Sequence, residues 1–129
     1  MSDKYICFVK VRHGSCNSLN DELLWFGKSL GLFSSRDKNK SCYRIFVELL
    51  TSKEGLSSDE LAFRLNITRS TVVHHLKRLL GSGLVVKEDN KYFLRVASLP
   101  ELVDKLSEDV SGIIKDLRRV AEKIDKNLN

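Results

Sequence analysis

Within the ten residues from Arg69 to Arg78 stand Arg69, Ser70, Thr71, His74, Lys77 and Arg78, and no carboxylate. Guanidinium, ammonium, imidazole and hydroxyl groups share one competence: they donate hydrogen bonds to phosphate oxygens and to the acceptors on base edges. Catalysis asks for more. Ser70 and His74 stand four residues apart, as a nucleophile and its base could on one helix face, yet no acid follows to orient the pair. Phosphate-cradling loops, dinucleotide fingerprints, H-E-x-x-H and the nucleophile elbow are all missing, and Gly81-Ser82-Gly83 reads as a helix stop. The sequence points away from an enzyme and calls for no cofactor.

Metal chemistry has two openings. His74 and His75 are adjacent, and neighbouring residues on a helix point about 100° apart, so one ion cannot take both. His74 is expected to face outward and His75 to pack at the edge of a helix pair. Cys7, His13 and Cys16, with Cys42 as a fourth, are the other ligand set; their spacing fits no zinc or copper template, and cysteine is commonly a small buried apolar residue. Three cysteines without a C-x-x-C pair write neither a disulfide framework nor a zinc ribbon.

The donor cluster needs a helix to hold it. Thr68 can cap one over residues 69–80, in which Val72, Leu76, Leu79 and Leu80 gather on one side at 100° per residue and Ser70, His74, Lys77 and Arg78 on the other. Before it, Ser57-Ser58-Asp59-Glu60 is a capping box for a short helix with Leu61, Ala62 and Leu65 on one side, and Asn66-Ile67 makes the turn. Two short helices on a tight turn leave the second with a face free for a major groove. After Gly83, residues 84–96 alternate as a hairpin with its turn at Asp89-Asn90. Upstream, an apolar helix opens at Ser41 and ends near residues 53–55, and residues 34–40 form a polar, basic loop. Another helix is expected from Asp21 to Gly31, capped by Asn20, and residues 5–11, β-branched and aromatic, have the profile of a strand.

At the far end, Leu99, Val103, Leu106, Val110, Ile113, Leu117, Val120 and Ile124 step four and three residues apart, an a/d seam on a helix opened by Ser98 and Pro100 and running to about Lys126. Leu102, Ile114, Ala121 and Leu128 widen the stripe. Such a helix is about 40 Å long, against a radius of gyration near 14 Å for a compact chain of this size. A homodimer that packs the helix on its symmetry mate is the economical way to cover it.

The string Leu61-Ala62-Phe63-Arg64-Leu65-Asn66-Ile67-Thr68-Arg69-Ser70-Thr71-Val72-Val73-His74-His75-Leu76-Lys77-Arg78-Leu79, followed by Gly83-Leu84-Val85, resembles winged helix-turn-helix transcriptional regulators, in particular ArsR-like ones of the archaeal type. The resemblance covers about residues 42–96. It implies that residues 70–76 lie in the recognition helix, with DNA contacts from Arg69, Ser70, Val73 and His74, and that the hairpin around Lys87, Asn90 and Lys91 is a wing on phosphate or the minor groove. The family's Cys-x-Cys metal-sensing motif is absent: residues 56–67 hold neither cysteine nor histidine. The resemblance therefore specifies no effector, metal or small molecule.

Charge agrees with this reading. The net charge is +5, and residues 1–99 carry 16 basic and 10 acidic side chains against 6 and 7 in residues 100–129. The excess is thus on the helix-turn-helix side, while the C-terminal segment suits a protein interface. No apolar run approaches a membrane span and the start lacks a signal-peptide pattern, so a cytoplasmic protein with no membrane partner is expected.

The expected fold is mainly α with a β-hairpin wing: residues 1–40 an N-terminal strand and helix extension, 41–97 a winged helix-turn-helix domain, and 98–129 a dimerisation helix. The expected function is that of a homodimeric, sequence-specific regulator on double-stranded DNA. The candidate contacts are Arg69, Ser70, Thr71, Val73, His74, Lys77, Arg78, Lys87, Asn90 and Lys91. Two rivals share the fold: a protein-interaction module that ignores nucleic acid, which would present acidic or apolar residues on the outward helix face, and a metal- or redox-responsive sensor. Residues 1–20 could add a strand to the dimer or act as a sensor.

Overall fold

The computed structural model describes residues 5–14 and 17–129. Along them run α1 (Leu19–Ser29), α2 (Ser41–Thr51), α3 (Ser58–Leu65), α4 (Arg69–Gly81), β1 (Val85–Glu88), β2 (Lys91–Leu94) and α5 (Leu99–Leu128). The architecture is mainly helical, with a two-stranded hairpin after the helix-turn-helix and a long C-terminal helix. The chain divides into two compact units after Arg95.

Local chemistry sets the helix ends of the first unit. The Ser57 hydroxyl accepts from the Glu60 N–H at 3.1 Å while the Glu60 carboxylate accepts from the Ser57 N–H at 3.2 Å, a reciprocal box that starts α3. Thr68 Oγ1 accepts from the Thr71 N–H at 3.2 Å and starts α4. Between them Asn66 takes the left-handed conformation, φ 55°, which asparagine tolerates better than most residues. α1 begins two residues earlier than expected: its cap is Ser18, whose Oγ accepts from the Asp21 N–H at 3.1 Å, and not Asn20.

Buried Ile45, Phe46 and Leu49 of α2, Leu61 and Leu65 of α3, and Val72, Leu76 and Leu79 of α4 supply the helical part of the core. Leu56, Leu84, Val85 and Tyr92 carry it to the hairpin. The hairpin pairs antiparallel in the register Val85 with Leu94 and Glu88 with Lys91, which leaves Asp89-Asn90 as the turn. Leu56 extends the patch, exchanging two backbone hydrogen bonds with Tyr92, at 2.8 and 3.1 Å.

Residues 5–11 do not form a strand. The segment has apolar residues on both faces but, among the described residues, no strand beside it, and its backbone instead serves helix ends, whose last carbonyls lack intrahelical donors. Tyr5 N–H donates to the Gly81 carbonyl at 2.8 Å and Val9 N–H to the Ser29 carbonyl at 2.9 Å. The Val11 carbonyl accepts from Trp25 Nε1 at 3.3 Å. This tether passes so close to Gly31 that a Cβ there would lie 2.7 Å from the Cys7 carbonyl oxygen, and Gly31 holds φ 72°.

In the second unit Ser98 caps α5, its Oγ accepting from the Glu101 N–H at 3.3 Å. Pro100 is the second helical residue, one later than expected, where its missing N–H still costs nothing. Leu102 and Leu106 are buried, while most of the remaining seam is exposed.

Gly31→Ala meets both a left-handed backbone and a backbone oxygen. It should destabilise the first unit by at least about 1 to 2 kcal/mol, the cost of an L-residue in that region. Urea unfolding of the variant against the wild type measures it.

Candidate nucleic-acid interface

Every residue of the expected contact set is among those described. On α4, Arg69, Ser70, His74, Lys77 and Arg78 are exposed, and Thr71 and Val73 are partly so. The opposite face carries the buried Val72, Leu76 and Leu79, so the amphipathic division expected from the sequence is the one observed. Three hydroxyls meet at the helix start: Thr68 Oγ1 lies 3.2 Å from Ser70 Oγ and 2.8 Å from Thr71 Oγ1. No acidic residue occupies that first turn. Free amides, hydroxyls and the positive end of the helix dipole there favour an anion.

The structure places two arginines differently from a simple outward cluster. Arg69 Nε lies 3.0 Å from the Asp59 carboxylate of α3, a pair in which both side chains remain well exposed. Such surface pairs are weak, so Arg69 stays available to a stronger anion. Arg78 donates from Nη2 to the Gly31 carbonyl at 2.7 Å and thereby ties α4 to the end of α1. Neither partner was visible in the sequence, because each lies on another element.

His75 is buried, 8% exposed, and its Nδ1 has no hydrogen-bond partner. Its Nε2 lies 3.9 Å from the Asp37 carboxylate. Burial holds this imidazole below its ordinary pKa; Asp37 works against the shift, while His74 and Arg78 add to it. The rings of His74 and His75 meet edge to face, 5.3 Å apart. Asp37 itself does the work of a helix cap: its two oxygens accept from the Ser41 and Cys42 N–H groups, each at 2.9 Å. Desolvation alone would raise its pKa, but those two bonds, with His75 behind them, bring it below the usual value.

The hairpin tip carries Lys87, Asn90 and Lys91, all exposed. Lys87 Nζ sits 5.5 Å from the centre of the Tyr92 ring, and Lys91 is the cross-strand partner of Glu88. With Asp89 in the turn at φ 54°, the tip balances its two lysines against two acids, so the wing is closer to neutral than α4.

For the thiol-and-imidazole set, Cys16 lies outside the described residues. Cys7 is exposed, His13 stacks edge-on against Trp25 at 4.6 Å, and Cys42 is fully buried. Burial pushes the Cys42 thiol up to about 11, Arg78 pulling slightly the other way and Asp37 adding to the rise. A thiol so placed stays protonated and is a poor ligand or nucleophile. Among the described residues no three of His, Cys, Asp and Glu are grouped to hold a metal ion.

Residues 39–88, from the last residues before α2 to the end of β1, match the family model of a helix-turn-helix domain. These residues form a helix-turn-helix domain. With the hairpin that follows α4, its topology is that of a winged helix. A domain of this kind is that of a DNA-binding transcriptional regulator and not of an enzyme. No curated protein and no solved structure matches the chain at a significant level. Among the described residues no helix is long and apolar enough to cross a membrane.

His75 gives the domain a pH dependence. The unfolded chain binds a proton on this side chain more readily than the folded one, so its contribution is complete above about pH 6.5 and declines as pH falls below that value. Melting temperature should fall between pH 7.5 and 5.5, and His75→Gln should remove that part of the slope.

Proposed function

We propose that the chain is a homodimeric, sequence-specific transcriptional regulator, ArsR-like and of the archaeal type, acting in the cytoplasm. α4 reads the major groove, and the β1–β2 turn touches the backbone or minor groove as a wing. Ser70, His74 and Lys77 reach base edges or phosphates directly, with Thr71 and Val73 at the margin. Arg69 exchanges Asp59 for the polyanion, and Arg78 offers only the donors left over from its bond to Gly31. Lys87, Asn90 and Lys91 carry the wing contact.

One observation carries this reading. The exposed face of α4 is cationic and hydroxylated, has no acid of its own, and begins at a helix N-terminus rich in donors. The interaction-module alternative calls for acidic or apolar residues on that face, which has no acid and, in the partly exposed Val73, a single apolar residue at its margin.

The dimer rests on α5. Val103, Ile113, Leu117, Val120 and Ile124 of the expected seam are exposed, Leu117 at 64%, and Ile114 and Leu128 beside them are exposed too. Leu106 is already buried within one chain, and Leu99 and Val110 are partly covered, so the surface offered to a second copy lies mainly beyond residue 110. A seam of this length left in water is costly, and a symmetry mate covers it. Two-fold pairing presents two recognition helices to half-sites about 34 Å apart, which makes the operator an imperfect palindrome.

Two measurements test this. Lys77→Ala should weaken duplex binding. A base contact costs roughly 1 to 3 kcal/mol at one operator position, whereas a phosphate contact weakens all sequences alike. Unchanged affinity would count against the face. For assembly, Ile113→Glu with Leu117→Glu changes exposed residues only and should convert a sedimenting dimer into a folded monomer. A wild type that sediments as a monomer at tens of micromolar refutes the dimer.

A further inference from the structure

The loop between α1 and α2 is a built element. Asp37 N–H donates to the Ser34 carbonyl and Lys40 N–H to the Asp37 carbonyl, both at 3.1 Å, and Arg36 N–H donates to Ser34 Oγ at 3.2 Å. With the two bonds from Asp37 into the start of α2, these turns fix where Arg36 and Lys38 leave the backbone. They leave it at the rim of a cleft of about 470 Å³ whose other wall is α4, from Thr71 through His74 to Arg78.

The lining has the composition of an anion site. Arg36, Lys38 and Arg78 bring three permanent cations, and Thr71 and His74 add donors. The acid that lines it, Asp37, has a side chain only 8% exposed and already accepts two backbone N–H groups. Its charge is already shared with those two donors, and the three cations outnumber it. Buried His75 also lines the cleft, and its Nδ1 is left without a partner. A concave surface of fixed donors with a low-dielectric floor concentrates field on whatever anion enters.

Resting on the DNA-binding reading, we infer that the 34–40 loop and α4 together form a phosphate-binding cleft that seats a DNA backbone phosphate flanking the groove read by α4. The occupant is a phosphodiester of DNA because the cleft shares Thr71 and His74 with the exposed helix face that carries Ser70 and Lys77. A phosphate held there lies on the same strand path as the bases α4 contacts. Such an anchor fixes register without reading sequence.

The test is a salt series on full-length protein with operator and random duplexes, wild type against Arg36→Gln/Lys38→Gln. Both side chains are exposed, and a matching thermal melt establishes that the variant is folded. Losing the neutralisation of one DNA phosphate lowers the slope of log affinity against log salt by about 0.9, so the double variant, which strips two cations from a single phosphate, should show a slope shallower by up to that amount and bind both duplexes more weakly to the same degree. A wild type that binds with a steep salt slope, shared unchanged by the variant, overturns the cleft and leaves the α4 reading standing. A wild type that binds no duplex overturns both. Inorganic phosphate is titrated in parallel and followed by the imidazole resonances of His74. Saturation at millimolar phosphate in the wild type only, with unchanged DNA slopes, assigns the cleft to a free anion and overturns the DNA assignment.

Discussion

The burial of Val72, Leu76 and Leu79 decides the rest of the first unit. These three side chains are at most 1% exposed, and removing each from water contributes about 1.5 to 3 kcal/mol. A helix has only one face opposite its apolar stripe. Once that stripe is committed to α2 and α3, the direction in which Ser70, His74 and Lys77 point is no longer free. The donors are presented by a core that cannot rotate without exposing three aliphatic side chains.

Around that constraint the polar residues divide by how firmly they are held. Arg78 and Asp37 are tied to backbone atoms of other elements, at 2.7 and 2.9 Å. Arg69 is held only by an exposed carboxylate, and the wing lysines by a ring face and a cross-strand acid. Residues of the first group set geometry; those of the second can change partners when a polyanion arrives. The near-neutral wing tip and the basic loop before α2 together shift the electrostatic weight of the interface from the hairpin to the flank of the recognition helix that runs from Thr71 to Arg78.

Legibility in the sequence followed the range of the interaction. The capping box at Ser57, the Thr68 cap, the Asp89-Asn90 turn and the existence of a long α5 all depend on residues close in the chain, and they could be read directly. The outward face of α4 was equally plain, because it follows from helical period and residue type. Apart from the α1 cap, where Ser18 and Asn20 are both capping residues two positions apart and Ser18 is the one used, what escaped is carried by partners distant in the chain. Residues 5–11 look like a strand by composition, yet a strand exists only beside another, and here the nearest takers of backbone hydrogen bonds were Gly81 and Ser29. Arg78 reads from the sequence only as an outward contact, because Gly31, which holds it, lies 47 residues away. The basic composition of the 34–40 loop was visible, but its meeting with α4 was not.

The bond pair between Leu56 and Tyr92 has a bearing on solubility. It covers the outer side of β2 at Tyr92, so of the two strands β1 keeps the more open edge. That edge is four residues long and ends in Lys87 and Glu88, a short charged border of the kind that discourages other chains from adding themselves to a sheet. A hairpin extended toward a ligand can in this way stay accessible at high concentration without becoming a template for aggregation.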